Sequence, residues 1–169
     1  MPRQAVEAVV RQVVATLQLP QANPYIGPDP SWNEWNMAVV GHPIWLWTEG
    51  PATLATSNSA YGIAVSLDAR LTGTVFTMGD GTSVTCARTQ PYVRGQVDPG
   101  APSPVCGHTY QQAPRSGSHT VTATAHWSVA WTAAGLSGTL PTTMSASRVV
   151  PVGELQALVT LPQTRKADS

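Results

Sequence analysis

Residues 119–132 alternate between apolar and polar side chains, and this run constrains the fold of the chain more than any other feature. The apolar parity reads Val121, Ala123, Ala125, Trp127, Val129 and Trp131. The opposite parity is mostly polar: Thr120, Thr122, Thr124, His126, Ser128 and Thr132. A period of two is typical of a β-strand with one face in a core and the other in solvent. The run therefore predicts an all-β protein built as an antiparallel β-sandwich.

Further strands are predicted on both sides of this run. By alternation they are residues 44–49, 53–56, 61–69, 71–78, 83–86 and 144–152. The second and third form a hairpin around residues 57–59. Residues 71–78 and 83–86 form another, because Gly79-Asp80-Gly81 between them supplies the positive φ that a tight turn needs. Residues 133–139 are predicted as a turn, and residues 154–160 as a short strand or a turn of helix.

An amphipathic helix is predicted over residues 3–18. Apolar residues, most of them valine, recur there at the spacing of one helix face, and Pro20 ends the pattern. Valine is a weak helix former, so this stripe needs a surface to pack on. Two interpretations follow: the helix packs on its own sandwich or on a second copy, or it is a stalk that leads to a membrane anchor.

The pattern divides the chain into four parts. Residues 1–20 form the N-terminal helix, and residues 21–43 form a linking segment rich in proline and tryptophan. Residues 44–162 form the sandwich, and residues 163–169 are predicted as a disordered tail.

The charge composition excludes some partners. Charged residues make up only 11% of the chain, and nine basic residues cancel nine acidic ones. Without a basic stripe the chain has no surface that suits nucleic acid. No apolar run is long enough to span a membrane, and Glu7 and Arg11 interrupt the N-terminal apolar residues, so no signal peptide is visible. We expect an extracellular or cell-surface protein, exported through a leader or anchor that lies outside this chain.

Two cysteines, Cys86 and Cys106, are the only ones in the chain. They stand at the two necks of a proline-rich loop, residues 87–105, which has little periodicity. Such a pair is more typical of a structural disulfide than of a redox-active site in an exported domain. Closing this loop is expected to stabilise the fold by about 3 kcal/mol.

Three segments together resemble the polycystic-kidney-disease (PKD) repeat domain. The segments are Gly79-Asp80-Gly81-Thr82, His108-Thr109-Tyr110 and the strand after Gly117. They follow the order of the family motif, which reads W-D-F-G-D-G-T, then H-T-Y, then G-x-Y-x-V-x-x-x-V. The chain departs from the motif at Phe76, Thr77 and Met78, which stand at W-D-F, and at His119, which stands at the tyrosine. Val121 and Ala125 occupy the two valine positions.

This resemblance covers residues 60–132 and implies an immunoglobulin-like sandwich. It implies structural roles for Gly79, Asp80, Gly81, His108, Tyr110 and Trp127. It also implies that the Tyr110 hydroxyl forms a corner hydrogen bond to the backbone. Family members are extracellular spacers and contact modules for proteins or polysaccharides and do not catalyse reactions. The chain is also similar to uncharacterised exported actinobacterial proteins with the same arrangement, which imply no activity.

Tryptophan is concentrated near the N-terminal side of the predicted sandwich. Four of the six tryptophans lie within sixteen residues: Trp32, Trp35, Trp45 and Trp47. One interpretation is a second small core under the N-terminal segment. The other is a binding site, either a docking face for a partner protein or a stacking platform for sugar rings, because tryptophan is enriched where proteins contact partners. In the strand predicted at 44–49, Trp45 and Trp47 point to one face and Ile44 and Leu46 to the other. Both faces carry apolar side chains, so both are expected to be covered.

The sequence offers no pattern for catalysis, a metal or a cofactor. The histidines and cysteines lack zinc-binding spacing, and Asp80 is expected to close its turn rather than to bind a cation. No nucleophile elbow or phosphate loop is present. The leading hypothesis is a non-catalytic exported structural or interaction module. Its expected partners are another envelope or extracellular protein, a second copy bound through the N-terminal helix, or, in the alternative, a polysaccharide bound by exposed tryptophans.

Overall fold

The computed structural model describes residues 1–155, and these form one α-helix, one short 3-10 helix and nine strands. The helix α1 spans Arg3–Ala15, and the 3-10 helix spans Pro30–Trp32. The strands are β1 (Tyr25–Gly27), β2 (Ala38–Val39), β3 (Ile44–Trp47), β4 (Thr53–Ala60), β5 (Ile63–Thr77), β6 (Ser83–Cys86), β7 (Gly107–His108), β8 (Ser118–Ala133) and β9 (Leu136–Gly153). The predicted all-β class is confirmed.

The strands form a large sheet and a small one. The large sheet has six strands in the order β2-β9-β8-β5-β4, with β6 paired to the second half of β5. The small sheet has the order β1-β3-β7. Neighbouring strands are antiparallel except β2 and β9, which run parallel. Sequence-adjacent strands β4 to β5 and β8 to β9 are joined by short hairpins, as is typical of antiparallel sheets.

Strand β8 is the centre of the large sheet and has the predicted two faces. It pairs with β5 on one side and along its whole length with β9 on the other. Every side chain predicted to point inward is at most 4% exposed: Val121, Ala123, Ala125, Trp127, Val129 and Trp131. The alternation therefore identified the strand and its buried face correctly.

Two elements share one core with the large sheet. Helix α1 contributes Val6, Val9, Val10 and Val13. The small sheet contributes Ile26, Ile44 and Leu46 to the same buried cluster. The helix contacts β4, β5 and β8, so its apolar stripe packs on its own chain, as the first interpretation predicts. It ends at Ala15, earlier than expected, and the Thr16 hydroxyl donates to the Val13 carbonyl there.

The first hairpin turns at Tyr61-Gly62, and the prediction of a turn at residues 57–59 is wrong. Tyr61 has a φ of 53° and Gly62 a φ of 74°, which is the positive-φ pair that a two-residue hairpin requires. Residues 57–59 lie inside β4 and are exposed. Small polar residues fit an exposed edge strand as well as they fit a turn, so their composition was ambiguous.

Two more strand boundaries differ from the prediction. The strands predicted at 61–69 and 71–78 are parts of one long strand, β5 (Ile63–Thr77), whose register with β8 shifts between Leu71 and Gly73. The turn predicted at residues 133–139 is confined to Ala134-Gly135, because strand β9 already begins at Leu136. Residues 136–143 are rich in serine, threonine, glycine and proline, which are typical of loops, so their sequence does not indicate a strand.

The linking segment supplies strands to both sheets. Strand β1 pairs with β3 and strand β2 pairs with β9, so the first strand is Tyr25–Gly27 and not residues 44–49. Strands this short depend on their partners, and the sequence alone gives little sign of them. The predicted element at 154–160 lies mostly beyond residue 155, and the predicted tail at 163–169 lies entirely outside the described residues.

The Gly79-Asp80-Gly81 turn between β5 and β6 allows a matched pair of substitutions. Gly79 and Gly81 have φ values of 86° and 88°. A Cβ at Gly79 would lie 2.9 Å from the Thr120 carbonyl oxygen, whereas one at Gly81 would have no atom within 4 Å. We expect Gly81→Ala to cost about 1 kcal/mol of unfolding free energy from backbone strain alone. Gly79→Ala adds about 1–3 kcal/mol from overpacking. Urea denaturation of both variants checks this, and equal losses would contradict it.

Candidate functional site

The two cysteines form the predicted disulfide. Cys86 ends β6 and Cys106 immediately precedes β7, and their Cα atoms lie 5.8 Å apart. The bond therefore joins the large sheet to the small one. It also fixes both ends of the loop at residues 87–105, which can then pack against the small sheet.

The tryptophans of β3 are buried under this loop. Trp45 is 3% exposed and Trp47 is 8% exposed, and both pack with Tyr92 of the loop. The rings of Trp45 and Tyr92 meet edge to face at 5.5 Å, and Trp47 stacks on Tyr25 at 5.7 Å. The Trp45 indole N–H donates to the Ala101 carbonyl at 2.8 Å.

This arrangement divides the four tryptophans into two kinds. Trp45 and Trp47 form the second small core that one interpretation predicted, and both faces of β3 are covered as expected. The prediction of Trp45 and Trp47 as binding residues is therefore corrected, because a partner cannot reach side chains that the loop already covers. Trp32 and Trp35 remain 42% and 39% exposed.

Trp32 is exposed and held in place at the same time. Its ring centroid lies 6.0 Å from that of Tyr92, and the Arg94 guanidinium carbon lies 5.0 Å from the ring centroid. The Asp29 carboxylate accepts from the Ser31 backbone N–H, which fixes the start of the 3-10 helix. Val93, beside Tyr92 in the chain, is 42% exposed. We call Trp32, Val93 and Arg94 the Trp32 surface.

Sequence analysis missed the loop half of this surface. No individual residue of the loop 87–105 was predicted to contact a partner. The only signal in the sequence is Tyr92 in the loop between the two cysteines, followed by the apolar Val93 and the basic Arg94. Nothing in that pattern shows that Tyr92 reaches Trp32, since the contact depends on the loop folding over the small sheet.

Trp35 borders a separate cavity. The cavity has a volume of about 220 Å³, and its wall also includes Asn33, His42 and Pro43. The Asn33 side chain accepts from the Trp35 backbone N–H at 3.0 Å and donates to the Met37 carbonyl at 2.8 Å. These bonds fix the backbone of Trp35 beside the cavity.

The motif residues Asp80, His108 and Tyr110 lie together around the β5–β6 turn. The Asp80 carboxylate accepts from the Thr82 backbone N–H at 3.0 Å and from the Thr82 hydroxyl at 2.6 Å. Its second oxygen lies 2.8 Å from His108 Nε2. The Tyr110 hydroxyl donates to the Met78 carbonyl at 2.8 Å. The cluster thereby ties the β5–β6 turn to the segment that follows β7.

The polar groups of this cluster satisfy one another. Partial burial raises the pKa of Asp80, but the hydrogen bonds from Thr82 and His108 outweigh burial, so its pKa lies below the ordinary value. Burial, and after it the charge of Asp80, raise the pKa of Tyr110, which therefore stays a donor. Trp127 lies apart, on the inner face of β8. The arrangement stabilises the fold and offers no activated nucleophile.

The lowered pKa of Asp80 predicts that its contribution to the stability of the fold depends on pH. Its ionised form stabilises the fold above the unfolded-state pKa of about 3.9, and this stabilisation is lost as the pH falls through the lower folded-state value. Asp80→Asn should therefore melt below the wild type at neutral pH, and the gap should close between about pH 5 and about pH 2. Thermal melts across this range measure it. The pKa of Asp29 is also lowered, but Asp29 is present in both proteins and cancels. A gap that does not change with pH would contradict the role of the carboxylate charge.

Two further properties concern the described residues only. Within residues 1–155 no three histidine, cysteine, aspartate or glutamate side chains lie close enough together to hold a metal ion. The helices in that part of the chain are too short or too polar to cross a membrane.

Comparisons of the chain with protein-family models, with curated proteins and with solved structures give no match.

Proposed function

We propose that this chain is a non-catalytic interaction module of the PKD type, an immunoglobulin-like sandwich that works outside the cell or at its surface. The hydrogen bond from Tyr110 to Met78 and the turn closed by Asp80 support the PKD resemblance. The core shared by the two sheets supports the sandwich. The disulfide supports an oxidising compartment, where such bonds persist.

The Trp32 surface carries the proposed function. A tryptophan that is 42% exposed yet packed between Tyr92 and Arg94 has already lost much of its side-chain freedom. A partner that covers it gains apolar burial at a small entropic cost, and tryptophan and arginine are the residues that most often dominate binding energy. The proposed partner is another envelope or extracellular protein, bound by presentation of this preformed surface.

Site-directed photo-crosslinking tests the proposal. A photoreactive residue in place of Val93 should crosslink one defined protein from a cell-envelope fraction. Trp32→Ala should abolish that crosslink, since it removes the aromatic anchor. Tyr61→Ala is the matched control, because Tyr61 is a 77% exposed aromatic residue in the β4–β5 turn. A crosslink that survives Trp32→Ala, or no defined crosslink at all, would contradict the proposal.

A second candidate, a carbohydrate-binding module, rests on Trp35. Its exposed ring stands at the edge of a cavity that also contains His42, and sugar rings stack on such aromatic faces. Electrophoresis through gels that contain cell-wall polysaccharide separates the two candidates. Retention that Trp35→Ala abolishes and Trp32→Ala leaves intact would favour the sugar, and free migration of the wild-type protein would exclude it for that polysaccharide.

A further inference from the structure

The outer edge of β9 is the longest stretch of the large sheet without a partner strand among the described residues. Strand β2 covers that edge only at Val152 and Gly153. At the other end, Arg3 donates to the Ser137 carbonyl. Between these two contacts the edge runs from Thr139 to Val149, which is about 34 Å of strand.

The backbone groups that face this edge can be identified from the hydrogen bonds at its ends. The Val152 N–H donates toward β8, to the Gly117 carbonyl, whereas the Gly153 carbonyl accepts from Val40 on the outer side. The pairing of β8 with β9 continues from there without a register shift. Antiparallel pairing alternates, so the odd-numbered residues of β9 direct their N–H and C=O groups outward. The contact with Val40 shows that this edge already accepts a strand.

The usual protection of an edge strand is nearly absent here. Natural sheets guard such edges with charges, prolines or bulges. Residues 136–147 contain no charged side chain, and the nearby Arg148 is paired with Asp29 at 3.1 Å. Pro141 is the one interruption, and it lies at an odd position, where its missing N–H faces outward. Leu140 and Met144 pack on the core but stay half-exposed on the inner side of the strand.

We propose that the chain forms a twofold homodimer in which β9 pairs with β9 of a second copy, antiparallel, through the edge from Thr139 to Val149. The midpoint of this edge is Met144, and a twofold axis there places Thr143 opposite Ser145 of the other copy and Thr139 opposite Val149. Every outward N–H then finds an acceptor, and only the Ser147 carbonyl, opposite Pro141, lacks a donor. The pairing also brings the two half-exposed Met144 side chains together.

A second copy fits this edge because the edge is self-complementary. An interface on a twofold axis sets a surface against itself, so like charges would repel. The one charged side chain between Thr139 and Val149 is Arg148, which is paired with Asp29 and would lie opposite Leu140 of the other copy. On the solvent face of the sheet, the side chains of this segment are mostly serine and threonine. Two of them, Ser147 and Ser145, already pair through their hydroxyls with Thr122 and Thr124 of β8.

Sedimentation velocity over a concentration series tests the dimer. The wild-type protein should show a monomer–dimer equilibrium. Thr143→Pro removes an outward N–H without touching the bonds to β8, and it should raise the dissociation constant at least about tenfold. Thr143→Ala, which keeps the N–H, should dimerise like the wild type, as should Trp32→Ala. Circular dichroism confirms that each variant is folded.

Hydrogen exchange keeps the test decisive if Thr143→Pro does not fold. The amides of Ser145 and Ser147 face outward, so in the wild-type protein their protection should rise with protein concentration. A monomer at all concentrations would overturn the proposal. So would a dimer in which these two amides exchange as freely as those of an exposed loop, because its interface would then lie elsewhere.

Discussion

Replacing Trp127 with alanine is expected to lower the free energy of unfolding by about 3–5 kcal/mol. The side chain is 3% exposed and lies on the inner face of β8, among the side chains that helix α1 and the small sheet cover. Its removal leaves a cavity that the surrounding strands cannot fill. Urea denaturation followed by circular dichroism measures the loss.

The neighbouring residue supplies the control for this substitution. His126 precedes Trp127 in the same strand, but its side chain is on the solvent face and is exposed. His126→Ala should change the free energy of unfolding by no more than about 0.5 kcal/mol. Comparable losses at both positions would mean that β8 does not have one buried and one exposed face.

Removing the disulfide is the second large effect. The double variant Cys86→Ala with Cys106→Ala should lose about 3 kcal/mol of unfolding free energy, because the unfolded chain regains the freedom of the closed loop. For a protein of this size each kcal/mol corresponds to about 2–4 °C in Tm. Calorimetry of the double variant beside the wild-type protein gives this shift.

Limited proteolysis reports on the same variant locally. The loop 87–105 packs on the small sheet through Tyr92, and Arg94 beside it is exposed. Without the disulfide the loop should open more often, so trypsin should cleave after Arg94 faster than in the wild-type protein. Tyr92→Ala, which keeps the disulfide, separates the contribution of the aromatic contact from that of the covalent closure. An unchanged cleavage rate in the cysteine variant would show that the disulfide does not restrain the loop.

The parts of the fold that could be predicted are those in which one local pattern has one physical meaning. Only a strand places the alternating apolar side chains of residues 119–132 on a single face. The Gly79-Asp80-Gly81 turn needs positive φ, and glycine supplies it at two positions. The two cysteines had only each other as partners. Each of these predictions is confirmed.

The parts that could not be predicted depend on contacts distant in sequence. Residues 57–59 have the composition of a turn, but pairing with β5 holds them in a strand. Strands β1 and β2 have only three and two residues, and β3 and β9 determine where they lie. The first half of β9 was hidden because most of its serines and threonines face solvent and its apolar residues Leu136, Leu140 and Met144 are only half-buried.

The candidate site shows the same limit. The cluster of tryptophans was visible in the sequence, but its division into buried and exposed members was not. Trp45 and Trp47 are buried because the loop closed by the disulfide brings Tyr92 over them, and Trp32 is exposed at the margin of that contact. Which tryptophan a partner can reach therefore depends on where a loop of nineteen residues comes to rest.

Amide hydrogen exchange of β8 tests the sheet order, on which the whole account depends. From Thr122 to Ala133 strand β8 lies between β5 and β9, so all amides of that stretch are expected to be bonded and to exchange only through global unfolding. In β4, which pairs on one side, every second amide should exchange much faster. Uniform slow exchange along Thr122–Ala133 beside alternating exchange along Thr53–Ala60 is the predicted result. Alternating or fast exchange along Thr122–Ala133 would contradict the position of β8 at the centre of the large sheet.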